Sequence, residues 1–95
     1  MDIQTIHPKD KAVSAVSIFK SDAGNATAIQ LLKFETLKEH ITKTPALLVC
    51  VMGEIIFENE KGDKSTLKTG DFIHIEKDTK HWLIAIMESQ LILIK

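Results

Sequence analysis

From about residue 27 onward the apolar positions come in short runs of β-branched and large side chains, each closed by turn chemistry. Breaks every eight to twelve residues or so are the pattern of an all-β chain, and a helical period is weak throughout. Strands are predicted over 13–20, 26–34, 37–42, 46–52, 54–59, 65–68, 71–76, 80–87 and 90–95. Residues 1–12, with His7-Pro8, are poorly readable. Residues 13–19 could form a strand or one short helix, and their β-branched content favours the strand.

The breaks carry their own signals. Asp22-Ala23-Gly24-Asn25 and Glu60-Lys61-Gly62-Asp63 read as hairpin connections, because Gly, Asn and Asp tolerate positive φ. Gly70 opens another strand after a turn, and Glu88-Ser89 links the last two. Connections this short predict that consecutive strands are antiparallel neighbours. Residues 46–52, 83–87 and 91–94 are apolar at both parities, so their strands should be covered on both faces, by the barrel interior on one side and a second layer or a second subunit on the other. The stretch 54–68 is more polar and should face water on one side.

Ninety-five residues make one domain, 1–95, with its barrel over about 13–95, since a core of this size cannot be divided. A 44% hydrophobic and 26% charged composition belongs to an ordinary globular chain rather than a disordered one. All 12 basic residues are lysine, so the planar fork that reads guanine edges and phosphates is missing and nucleic acid is not an expected partner. Lysines 61, 64, 68, 77 and 80 are interleaved with acidic residues that cancel their field. The single Cys50 forms no internal disulfide, the N-terminus lacks a secretory pattern, and no apolar run approaches a membrane span; a cytoplasmic protein with no membrane partner is expected.

Candidate chemistry is sparse. No phosphate loop, HExxH, paired cysteines or oriented nucleophile–base set is visible. Parity places His40 with Thr42 on one face, Ala46, Leu48 and Cys50 on a second, and His81, Leu83 and Ala85 on a third. If these faces line one barrel, they define a small, mostly apolar hollow with two imidazoles at its mouth. The plainer alternative is a pair of partly buried histidines bonded to each other, to Thr42 or to water. Cys50 reads as a small buried hydrophobe. Trp82, of opposite parity to His81, should lie outside the barrel, His74 should share a face with Phe72, and His7 should be terminal surface.

Two stretches resemble the motifs of the cupin superfamily. His40 stands 13 residues before Gly53, and Gly70-Asp71-Phe72-Ile73-His74-Ile75-Glu76 precedes a histidine, His81, 11 residues after the glycine. The motifs cover 40–85, and the likeness extends from about residue 26 to the end. Small single-domain cupins that read Glu-His-x-Thr and close on an apolar strand with a basic residue look similar to Glu39-His40-Ile41-Thr42 and Leu91-Ile92-Leu93-Ile94-Lys95.

The resemblance implies an antiparallel, jelly-roll-like β-barrel and a metal site of which half the ligands are gone: Thr42 stands at the family's second histidine and Ala46 at its glutamate. Glu76, Asp78 and Ala85 replace the turn proline, turn glycine and final asparagine. Two neutral imidazoles fall short of the three or four donors a tight transition-metal site needs.

The expected function is therefore a module that binds a small molecule between His40, Thr42, Ala46, Leu48, Cys50, His81, Leu83 and Ala85, with no cofactor or only a weakly held divalent transition metal. A metal-assisted oxygenase or isomerase using His40 and His81, its ion's shell completed by substrate or water, is the second expectation. A scaffold with a filled barrel is the third. The two-sided apolar strands and Trp82 further predict a homodimer.

Overall fold

A computed structural model of the protein describes all residues from Met1 to Lys95. Nine strands form: β1 (Val13–Ser21), β2 (Gly24–Leu31), β3 (Thr36–His40), β4 (Ala46–Met52), β5 (Glu54–Asn59), β6 (Lys64–Lys68), β7 (Phe72–Ile75), β8 (His81–Ala85) and β9 (Ser89–Ile94). They make two antiparallel sheets, one in the order β1-β2-β9-β4-β7 and the other in the order β3-β8-β5-β6. There is no helix, and so none long and apolar enough to cross a membrane.

The two sheets face each other across one core, the arrangement in which each sheet buries the alternate residues of its inner face. Register fixes which residues these are. Leu48 pairs with Ile73 and Leu93, Cys50 with Leu91, and Ile29 with Leu91 in the five-stranded sheet. Across the core, Ile55 pairs with Leu67 and Ala85, while Leu83 pairs with Phe57 and Leu37. Twelve buried apolar residues from both sheets form one continuous cluster, which is the main source of stability.

Only two consecutive pairs, β1–β2 and β5–β6, are hairpins. The expected neighbour pairing fails elsewhere because all six other connections, β2–β3, β3–β4, β4–β5, β6–β7, β7–β8 and β8–β9, carry the chain from one sheet to the other. Gly53 makes the β4–β5 crossing possible: its φ is 111°, and a Cβ there would lie 2.3 Å from Ser89 Oγ and 2.7 Å from the Glu88 carbonyl oxygen. Gly24 is required for a different reason from the one its turn suggested. Its φ is not positive, and a Cβ would come within 2.9 Å of the Lys95 carbonyl.

The second strand stops at Leu31, short of the expected 34, because Phe34 takes a left-handed φ of 66° and its N–H turns to the Ala85 carbonyl at 2.8 Å. The N-terminal segment lies across the outer face of β1 and β2. There His7, expected at the surface, is buried at 6% exposure, with Nδ1 2.6 Å from Ser14 Oγ. Ser14, Gln30 and Gln90 are register partners beneath it, and Gln90 Nε2 donates to Gln30 Oε1 at 2.7 Å. This covered polar row is invisible to hydrophobic periodicity, which is why the segment is poorly readable in the sequence.

Candidate functional site

The inner face of the four-stranded sheet grades from apolar to polar along its length. Ile55, Leu67 and Ala85 occupy one level, Phe57, Ser65 and Leu83 the next, and Asn59, His81 and His40 the last. His81 is buried at 5% exposure, its ring stacked on Phe57 at 5.8 Å between centroids and 22° between planes. Burial pushes its pKa below the ordinary histidine value, against the raising effect of the Thr79 carbonyl; nearby positive charge on His40 and Lys95 lowers it further. His81 is therefore neutral at pH 7. Because a carbonyl can only accept, Nδ1–H donates to Thr79 O at 3.3 Å, leaving the Nε2 lone pair without a protein partner.

His40 reaches His81 by a route that simple alternation misses. Counting outward from Leu37, which faces the core, regular alternation would turn residue 40 to the outside. Instead the register slips between Leu37 and His40, and His40 becomes the direct partner of His81. The ring centroids are 6.4 Å apart, and His40 Nδ1–H donates to Lys38 O at 2.5 Å, so its Nε2 is also unpartnered. The two histidines are bonded to backbone carbonyls rather than to each other. Thr42 lies beyond the end of β3, buried, with its hydroxyl unpaired and its carbonyl accepting from Asp78 N–H at 2.8 Å.

A cleft of about 250 Å³ opens at the polar end, between β7 and the β5–β6 hairpin. Phe57 and His81 form part of its wall, with Asn59, Asp63, Ser65 and Thr79 among the polar groups. The hairpin turn is held by Asn59, whose Oδ1 accepts from the N–H groups of Lys61 and Asp63 at 3.0 and 3.1 Å and whose Nδ2 donates to Asp63 Oδ2. A salt bridge from Lys61 to Glu76 spans the cleft's outer edge.

Of the residues expected to line a hollow, His81 alone borders this cleft. His40 stands exposed beside it, and Ala46, Leu48, Cys50, Leu83 and Ala85 are packed in the apolar cluster, none more than 7% exposed. The difference arises because the facing sheets interdigitate at that level instead of standing apart. Phe57, Asn59 and Ser65 were missed, although the alternation Ile55-Phe57-Asn59 puts them on one face and was legible.

No three His, Cys, Asp or Glu side chains converge anywhere in the structure. Cys50 lies in the core, and burial together with the Asp71 charge pushes its thiol pKa up. The donor set around His40 and His81 contains no anion and does not fit a tightly held transition metal.

Solved structures align over almost the whole chain. A cupin superfamily protein from Desulfitobacterium hafniense superposes with a TM-score of 0.86 at 15% identity, covering 98% of this chain and 84% of that one. The chain has the cupin fold. A conserved protein of unknown function from Streptococcus pyogenes gives 0.82 at 16% identity, over 99% of this chain and 82% of its own. A Neisseria meningitidis protein gives 0.80 at 17%, over 99% and 95%. No family model matches the sequence, and no curated protein does. At such identities the cupin likeness establishes architecture and leaves the activity to the site itself.

Proposed function

We propose that this cupin-fold chain binds a small polar molecule in the cleft beside His81, without a tightly held metal. The observation that carries this reading is the buried, neutral His81, tied at Nδ1 and offering an unpartnered Nε2 next to a polar cleft whose apolar floor is Phe57. An aromatic wall with a few fixed polar groups is the usual form of such a site. A ligand hydroxyl donating to Nε2, with an apolar face against Phe57, satisfies both groups. The filled apolar interior supports the cleft over a deeper hollow.

A thermal-shift screen of hydroxylated and carboxylated metabolites tests the reading, because a ligand that binds only the native state raises Tm. The expected result is a saturable rise that weakens in Ser65→Ala. If no compound raises Tm, the cleft reading fails. Elemental analysis of protein purified without chelator separates the rival: near-stoichiometric transition metal, lost in both His40→Ala and His81→Ala, would replace it with metal-assisted chemistry.

We also propose a homodimer through the outer face of the five-stranded sheet. Two cross-strand rows there, Val16-Ala28-Ile92-Val49-Phe72 and Phe19-Ala26-Ile94-Leu47-His74, contain no Asp, Glu or Lys. Phe19 and Phe72 are more than half exposed. Ala28 is fully buried under the N-terminal segment, so the open apolar surface lies over β9, β4 and β7 and along the second row, and surface of this kind favours association. Light scattering should give twice the chain mass for the native protein and the chain mass for Val49→Lys; a monomer in both would remove the dimer.

A further inference from the structure

The outer face of the four-stranded sheet differs in kind. Trp82, the protein's one tryptophan, is half-buried there. Its partner on β5 is Glu58, and Glu58 in turn pairs with Lys64 on β6. On the other side, the slip between Leu37 and His40 sets both Lys38 and Glu39 against Trp82 alone. A bulge spreads its strand locally. Thr36, Lys38 and Glu39 with Trp82 wall a shallow groove of about 520 Å³.

We propose that this groove is a saccharide-binding platform, separate from the cleft at His81 and beyond the function assigned to it. A pyranose ring lies flat on the accessible part of the indole, and its hydroxyls bond the polar rim. The chemistry of the rim matches that of a sugar. Lys38 supplies donors, Glu39 supplies acceptors and Thr36 supplies either, while the indole takes the apolar C–H face of the ring. Both charge signs are present, so the groove has no preference for an ion of either sign.

A second copy of the chain is the other occupant to weigh against a sugar. The cores of protein interfaces are depleted in charged residues, yet Trp82 is flanked by three, Lys38, Glu39 and Glu58, with Lys64 beyond Glu58. The opposite outer face, with no Asp, Glu or Lys in its two apolar rows, suits association far better. An open, shallow groove with an aromatic floor accommodates a flat ring.

The chain has one Trp and no Tyr, so intrinsic fluorescence reports Trp82 without interference. Titration of the whole protein with cellobiose and with maltose, each to about 50 mM, should change the emission saturably with at least one of them, with a midpoint on the order of 1 mM or a few-fold higher. Lys38→Ala and Glu39→Ala, at exposed positions, should each raise that midpoint about fivefold or more, a loss of roughly 1 kcal/mol, without altering thermal unfolding. Ser65→Ala, in the separate cleft, should leave the midpoint where it was. The proposal is overturned if neither sugar changes the emission, or if the emission shifts on protein dilution because a second copy covers Trp82. It is also overturned if Ser65→Ala weakens binding as much as the groove variants, since the sugar would then be held in the cleft.

Discussion

Along β8 the inward side chains pass from Ala85 to Leu83 to His81, and within those five residues the barrel changes from a packed core to a site. Ala85 and Leu83 belong to the buried apolar cluster built from both sheets, where any loss of volume leaves a void. At the His81 level the same strands carry polar groups, and the sheets part into a cleft. The backbone is the same at both levels. What differs is whether the facing side chains can satisfy one another without water, and the polar end cannot.

The largest effect that sharpens this contrast is expected from Leu48→Ala, which empties a fully packed position; it should cost about 2–5 kcal/mol of stability by urea unfolding. A cost below about 1 kcal/mol would mean that the interior is looser than its packing implies. Gly53→Ala should come next, at about 2 kcal/mol or more, since it combines a φ of 111° with a close approach to Ser89 and Glu88. Gly70→Ala, with a φ of 92° and open space around it, should cost only about 1 kcal/mol, so the difference isolates the collision at the sheet crossing.

Acid compares the two buried histidines. Burial lowers the pKa of both His7 and His81, so the unfolded chain binds more protons than the folded one as pH falls below the unfolded value of 6.5. Stability is thus full above pH 6.5 and declines as pH drops toward the folded values. His7→Gln, outside the barrel, should remove part of that decline and leave cleft binding intact; urea midpoints measured at neutral and mildly acidic pH check this. An unchanged acid slope would assign the whole effect to other groups. The smallest change is expected from Ser65→Ala, within about 0.5 kcal/mol of the native stability, because its hydroxyl has the cleft on one side.

Most of the strands were legible because alternation and glycine-marked turns are local properties. Residues 46–52 and 54–59 form strands over the predicted spans, and Trp82 lies outside the barrel as its parity required. What alternation could not supply was depth. Parity puts Leu48, Cys50 and Leu83 on inner faces but cannot tell a lined hollow from a filled one, which depends on how closely the opposite sheet approaches. Nor could it reveal the register slip after Leu37, because a bulge is a property of a pair of strands. His7 was misjudged for a similar reason: its burial depends on Ser14, Gln30 and Gln90, three polar residues that become neighbours only when β1, β2 and β9 align.

The strand order has a consequence for synthesis. β9 is the middle strand of its sheet, joining the β1–β2 hairpin to β4, with Ala26 paired to Ile94 and Leu47 paired to Ile94 from the other side. Until β9 leaves the ribosome, the early hairpin has no edge to dock on. A nascent chain must therefore carry it undocked while β3 to β8 are being made, an interval open to chaperone capture or misassociation.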